Sequence, residues 1–278
     1  MIPARPYANS SLPSVTTVIE ELSTPGLSWA AARETARFAV YHPNEWMHLS
    51  DEQAIDRLYR HHRGVWDGKA ATGTLLHRIA AHLADGSQLS PTEVEAAVRT
   101  AMDHTKDARS WWKEPFDKTV ERVLGYVNGL ETFWADQNPS SCESEVVVRY
   151  PDVYIGTADL CATIGGVRTL VDLKTTAQQT QSKGIYADSW ALQLHAYAYA
   201  TERVNYDVVD GDVVEVSTTA WDQPDRLCIL HLRGDTGYTL REIPKSDDVF
   251  QHFLRLCQIH EWRKHPAGAR IIARGAIL

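Results

Sequence analysis

Long apolar runs are missing from this sequence. None reaches the roughly 18 residues that a membrane-spanning helix requires. The opening stretch, MIPARPYANSSLPSV, also lacks the continuous apolar segment of a secretory signal. These two absences predict a protein outside the membrane, located in the cytoplasm.

Cysteine and positive charge are both scarce. The four cysteines form no C-x-x-C pair, which argues against a zinc or iron–sulfur site and predicts reduced, mostly buried thiols. The 28 basic residues are outnumbered by 36 acidic ones, a formal net charge of −8. That balance argues against a protein that coats nucleic acid through bulk charge. It is compatible with an enzyme that holds nucleic acid in a local basic groove.

Helical periodicity dominates residues 1–138. Ser90, Pro91 and Glu93 form a strong helix start, with a cap, a proline at the first position and an acid at the third. The predicted helices cover 15–22, 27–42, 51–66, 72–86, 90–109 and 117–136.

The pattern changes near Asn138-Pro139, where runs rich in β-branched residues begin. We predict one α/β domain over 1–278, in which a helical part (1–138) leads without a convincing linker into an α/β core with a closing helix (139–278). The predicted strands cover 144–150, 153–164, 167–176, 212–221, 225–234 and 236–243, and the predicted helices 188–204 and 246–265.

The segment GTADLCATIGGVRTLVDLKTT, residues 156–176, predicts a hairpin closed by its Gly-Gly pair. A two-residue turn sets a register in which Asp159 faces Asp172, and side-chain alternation puts Lys174 on the same face. The opposite face is apolar apart from Thr169. Its other members are Leu160, Ala162, Ile164, Val167, Val171 and Leu173.

Two facing aspartates would hold their Cβ atoms about 4.5–5.5 Å apart and repel each other. A proton or a cation must relieve that repulsion. A divalent ion beside Lys174 does so best, and carboxylate oxygens suit Mg²⁺ or Mn²⁺. From the hairpin alone, a solvent-facing strand pair with a surface Asp–Lys couple is an equal alternative.

The ordered motifs GTLLH, GTAD, VDLKTT and QLHAY resemble those of the PD-(D/E)XK nuclease superfamily. The set is most similar to the RecB-like branch, which includes CRISPR-associated and phage exonucleases, and the opening residues look like the start of phage-encoded members. The residues that carry the resemblance are Gly73, His77, Gly156, Asp159, Asp172, Lys174, Gln193 and Tyr197.

The resemblance implies a restriction-endonuclease-like core, with a central mixed sheet flanked by helices. It implies a metal centre with His77, Asp159, Asp172 and the backbone carbonyl of Leu173 as ligands. Lys174 would then orient or activate the attacking water, or stabilise charge in the transition state.

Gln193 and Tyr197 share one helical face and complete the catalytic set that the resemblance implies, with Gln193 near the metal or the DNA backbone and Tyr197 supporting it. Glu145 is a weaker candidate, either for a second metal or as a solvated strand end. The cysteines that hold an iron–sulfur cluster in several relatives are lacking, so we predict no cluster.

The implied function is a Mg²⁺- or Mn²⁺-dependent DNA exonuclease acting at DNA ends in phage recombination or repair. The implied setting is the host bacterial cytoplasm, with a recombinase or single-strand-annealing protein as partner. Two alternatives stay open: an endonuclease of the same fold, and a catalytically silent DNA-end-binding recombination protein.

Two basic clusters are candidates for tracking phosphates, although such runs are more often solvated helix faces. The first comprises Arg57, Arg60, His61, His62 and Arg63, and the second Lys106, Arg109, Trp111, Trp112 and Lys113.

Overall fold

A computed structural model describes residues 6–8, 10–22, 25–87, 89–104, 115–176, 188–234 and 237–264, in which a mixed seven-stranded sheet is flanked by helices. The helices are α1 (Val15–Ile19), α2 (Pro25–Tyr41), α3 (Asp51–Ala84), α4 (Pro91–His104), α5 (Phe116–Gln137), α6 (Asp188–Ala198) and α7 (Asp247–Lys264). The strands are β1 (Ser140–Tyr150), β2 (Tyr154–Ile164), β3 (Val167–Thr176), β4 (Glu202–Val209), β5 (Asp212–Ala220), β6 (Arg226–Arg233) and β7 (Gly237–Ile243).

The strand order is β5-β4-β1-β2-β3-β6-β7. Among the seven strands of the described residues, only β3 and β6 pair in parallel, and the crossover connection that such a pair needs contains α6, β4 and β5. The other neighbours are antiparallel. The predicted α/β class with a central mixed sheet is therefore confirmed.

Helices cover both faces of the central strands. One apolar cluster joins the sheet to α1, α6 and α7, and includes Val15, Leu194 and Phe253. The other joins the opposite face to α3, α4 and α5, and includes Leu76 and Phe133. Burial on both faces explains why β2 and β3 read as nearly continuous apolar runs.

The β2–β3 hairpin has the predicted turn. Gly165 and Gly166 both take positive φ, at 59° and 80°, as a type I′ turn requires. The partners adjoining the turn are Ile164 and Val167, and the ladder continues to Leu160 opposite Val171. The solvent-facing alternative is wrong, because Asp172 is only 1% exposed.

Several predicted element boundaries are wrong. β1 begins at Ser140 rather than at 144, and α1 ends at Ile19 rather than at 22. The helices predicted over 51–66 and 72–86 are one helix, α3, since no proline interrupts the stretch between them. The helix predicted over 188–204 ends at Ala198. Thr201 instead donates its N–H to the carbonyl of Arg149, and this contact with β1 starts the unpredicted strand β4.

The four cysteines are free thiols, three of them buried, as predicted. Among the described residues, no helix is both long enough and apolar enough to cross a membrane.

Candidate active site

The site lies at the open end of the hairpin, where three neighbouring strands each carry an acid. On β2, Leu160 pairs with Ser144 of β1 on one side and with Val171 of β3 on the other. Asp159 is the neighbour of Leu160 on the side away from the turn. Glu145 and Asp172 occupy the next positions on those neighbours. The sheet therefore sets Asp159 between an acid on β1 and an acid on β3.

Glu145 has an unusual backbone for a strand residue. Its φ is +51°, in the left-handed region that residues with a side chain rarely adopt. Such a conformation costs on the order of 1–3 kcal/mol and persists only where the surroundings impose it. Glu145 is absent from the β1–β2 ladder, in which Ser144 and Val146 both have partners, so the pairing is interrupted at this residue.

His77 on α3 joins two of the acids. Its Nδ1 lies 3.3 Å from Oδ1 of Asp159 and 3.4 Å from Oε1 of Glu145. One ligand atom from each of the three residues lies within 4.8 Å of the others, close enough to bind a single ion. Imidazole nitrogen and carboxylate oxygen are both metal ligands, so this trio is the candidate metal centre.

The charges of the trio are mutually dependent. Burial disfavours the imidazolium, but the negative charges and hydrogen bonds of Asp159 and Glu145 outweigh it and raise the pKa of His77 to about 10. Burial alone would raise the pKa of Asp159, yet the nearby His77 and Lys174 and the Leu173 N–H lower it. In the absence of an ion, a proton on His77 balances part of the acid charge.

Lys174 is the second cation of the site. Its Nζ lies 2.7 Å from Oδ2 of Asp172 and donates to Oε1 of Gln193 at 3.1 Å. Nε2 of Gln193 in turn donates to the hydroxyl oxygen of Tyr197 at 3.0 Å. A continuous chain of contacts thus runs from Asp172 through Lys174 to α6.

Asp172 is the least satisfied group of the site. Its Oδ2 is paired with Lys174, but its buried Oδ1 has no hydrogen-bond partner among the described residues. Burial and the charge of Asp159 raise the pKa of Asp172 to about 6, against the lowering effect of Lys174. A buried carboxylate oxygen without a partner, next to a His–acid trio, is a donor that a divalent cation fits.

Backbone contacts fix the positions of two motif residues. The N–H of Leu173 donates to Oδ2 of Asp159 at 2.8 Å, while the Leu173 side chain packs into the core. Gly156 lies directly under α6, since a Cβ placed there would come within 2.6 Å of Cε1 of Tyr197. The glycine of GTAD is therefore required for Tyr197 to approach the sheet.

The trio opens into a cleft of about 990 Å³ between α3 and the β1–β4 side of the sheet. His77, Glu145, Asp159, Gln193 and Tyr197 all line it, whereas Asp172 and Lys174 lie outside this lining.

The structure thus brings every predicted site residue to one end of the hairpin. It differs in which of them lie closest together, since Glu145 rather than Asp172 joins His77 and Asp159. The sequence signal for Glu145 was an acid directly before the apolar run VVV, in a strand next to the hairpin.

The structure describes only part of the two basic clusters. In the first, Arg57 pairs with Glu45, Arg60 with Asp56, and the buried His61 with Glu34, so these three are engaged within the protein. The side chains of His62 and Arg63, and the whole second cluster, lie outside the described residues.

A model of the PD-(D/E)XK nuclease superfamily matches residues 28–270. The chain belongs to this superfamily. Membership implies a nuclease that uses divalent metal ions and acts on DNA, and it confirms the resemblance at the superfamily level. No curated protein matches the sequence.

Among solved structures, the "Crystal structure of SSO0001" is similar over 67% of this chain and 83% of its own, with 15% identity. The TM-score is 0.30, so this likeness carries no argument.

Proposed function

We propose that this member of the PD-(D/E)XK superfamily is a metal-dependent DNA exonuclease of the RecB-like kind, hydrolysing phosphodiester bonds at DNA ends. The observation that carries the proposal is the convergence of His77, Glu145 and Asp159 in one cleft. The ion pair of Lys174 with Asp172 lies beside this trio.

His77 and Asp159 would hold the ion, His77 through its neutral Nδ1. Glu145 is the third donor of the trio, Oδ1 of Asp172 is a further candidate, and the carbonyl of Leu173 is the ligand that the family resemblance adds. When bound, the ion polarises the scissile phosphate and lowers the pKa of a water molecule.

Lys174 is the group proposed to orient that water and to stabilise the charge that develops on the phosphate. Its ammonium is held on one side by Asp172 and on another by Gln193, which leaves one direction for its third proton. Tyr197 fixes Gln193 in turn. Because Asp172 and Tyr197 are buried and Gln193 is half-buried between them, Lys174 is preorganised before substrate arrives.

Two observations favour an exonuclease of the RecB-like branch over an endonuclease. The histidine of GTLLH lies within reach of the GTAD acid. His77, Glu145 and Asp159 also line a cleft, which suits a strand end. The role in phage recombination or repair, with a recombinase or single-strand-annealing partner, rests on the resemblance alone.

The donor set favours Mn²⁺ over Mg²⁺. Mg²⁺ prefers oxygen ligands, whereas an imidazole ligand suits later first-row metals better. We therefore expect activity with both ions and faster cleavage with Mn²⁺. The variant His77→Asp, which supplies an oxygen ligand in place of the nitrogen, should reduce the difference in cleavage rate between Mn²⁺ and Mg²⁺.

The decisive experiment compares end-labelled linear DNA with closed circular DNA in the presence of Mn²⁺. The wild-type protein should degrade the linear form and leave the circle intact, and Asp159→Asn should abolish degradation. Asp152→Asn is the matched control, because Asp152 is exposed and its φ of +61° is tolerated by asparagine.

Cleavage of the circle would favour an endonuclease instead. DNA that is bound but never cut, by the wild type and the variant alike, would favour the silent end-binding protein.

A further inference from the structure

The cleft extends beyond the metal ligands, and we propose that it holds one DNA strand, with the sugar-phosphate backbone against α3 and a base against Tyr206. This inference rests on the proposed nuclease function and names the form of its substrate as single-stranded.

The size of the cleft suits one strand. Its volume of about 990 Å³ lies at the upper end of the range typical of small-molecule sites. That volume is enough for a few nucleotides of a single strand.

One wall is a continuous stripe of α3 at helical spacing, on which small residues flank His77. Gly73 stands out in this wall, since a Cβ at that position would meet nothing within 4 Å. Packing within the protein therefore gives no reason for a glycine that weakens the helix. The close approach of a substrate backbone does give one. The described stripe is Ala70, Gly73, Thr74, His77, Arg78, Ala81, His82 and Asp85.

The same wall carries a cation next to a metal ligand. Arg78 is exposed and lines the cleft, and it forms no ion pair with any carboxylate of the described residues. Arg203 faces it from β4, but there Glu143 already holds the guanidinium. Since the chain is acidic overall, a phosphate must be attracted locally, and Arg78 is the group available for it.

The opposite wall carries the aromatic ring of Tyr206 on β4. Asn205 pairs with Ser217 of β5 and Tyr206 pairs with Glu215, so β5 has one extra residue at this point and β4 does not. Asn205 and Tyr206 both line the cleft. Tyr206 is half-buried, with part of its surface open to the cleft, and aromatic faces stack on any base.

Binding without cleavage tests the proposal. The anisotropy of a fluorescent single-stranded 12-mer and of the matching blunt duplex is measured with the full chain in EDTA. The single strand should bind at least about tenfold more tightly, and Arg78→Gln should weaken it about tenfold and reduce the salt slope by about one.

Tyr206→Leu should weaken binding at least about fivefold, whereas Tyr206→Phe, which keeps the ring, should not. Gly73→Ala should weaken binding although it raises the melting temperature, which also shows that the variant is folded. Arg99→Gln, at an exposed arginine of α4 outside the cleft, is the control and should bind as the wild type does.

Equal affinity for the duplex, no binding of either DNA, or wild-type affinity in both Arg78→Gln and Tyr206→Leu would overturn the proposal. Cleavage of linear DNA in Mn²⁺ is scored separately. If linear DNA is cleaved but Arg78→Gln and Tyr206→Leu bind the single strand normally, only the proposed path of the strand is refuted. If binding follows the expectations but linear DNA is not cleaved, only the nuclease function is refuted.

Discussion

The two ends of the β2–β3 hairpin differ in chemistry although the same two strands form them. At the closed end, Ile164 and Val167 flank two exposed glycines and lead into buried apolar pairs. At the open end, Asp159, Asp172 and Lys174 are largely withdrawn from water. The comparison teaches that one strand pair can supply stability at one end and a reactive site at the other.

The difference follows from what covers each end. Helices bury both faces of the hairpin over most of its length, where an unpaired charge would be costly. At the open end, His77 and Lys174 supply the opposite charges that make the acids tolerable. We therefore expect substitutions at the open end to act mainly on catalysis and those at the closed end mainly on stability.

The largest effect is expected from the double variant Asp172→Asn/Lys174→Met. Cleavage of linear DNA should fall by about 10³-fold because the ammonium is lost. Stability should fall less than when Lys174 alone is replaced, because no charge is left buried without its partner. Rate and urea midpoint are measured together. The single variant Lys174→Met, which leaves Asp172 buried and unpaired, should be less stable than the double variant, and the opposite order would contradict this account.

Gly156→Ala should lower both stability and the rate of cleavage, the two properties that we assign to the closed and the open end of the hairpin. The added methyl group would overlap Tyr197 and Val15, and such overpacking typically costs about 1–3 kcal/mol. Displacement of Tyr197 should also slow cleavage. Unfolding in urea and cleavage rate are the measurements. Adding Val15→Ala should restore part of the stability, and a fully stable, fully active Gly156→Ala would refute the close approach.

Gly165→Val should act on stability alone. A β-branched residue at positive φ is strained, and the loss is expected to be about 1–2 kcal/mol. Gly165→Asn is the matched control, because asparagine before glycine suits this turn. The unfolding midpoint should fall for valine and hold for asparagine, while the cleavage rate below the melting temperature stays constant in both.

The smallest effect is expected at Thr169, the polar residue of the apolar face. Its hydroxyl donates to the carbonyl of Val167 and accepts from Nε of Arg226, which also donates to the carbonyl of Ile164. Thr169→Val should cost about 0.5–1.5 kcal/mol, whereas Thr169→Ser keeps the contacts. Equal unfolding midpoints for the two variants would show that Arg226 does not brace the turn.

The fold was largely predictable where local patterns are strong. Ser90 and Glu93 cap α4 as their spacing predicts, with reciprocal hydrogen bonds. The Gly-Gly turn set the hairpin register correctly. Prediction failed at β4 although its hairpin with β5 is local. The turn of that hairpin is Asp210-Gly211, with φ of 54° and 91°, but the helical spacing of residues 188–204 extends across the start of the strand.

The sequence predicted which residues form the site, but not which of them lie close enough to bind one ion together. The motifs identified Asp159, Lys174 and Gln193 before any coordinates. That Glu145 rather than Asp172 completes the trio with His77 depends on the strained backbone of β1 and on the position of α3.

By itself, the sequence determined the hairpin, its register and the identity of the charged residues at its open end, because turn chemistry and side-chain alternation are local. Only the tertiary structure decided which acids share a cation. That choice depends on distances of a few ångströms between β1, β2, β3 and α3, and Coulomb and coordination energies change steeply over such distances.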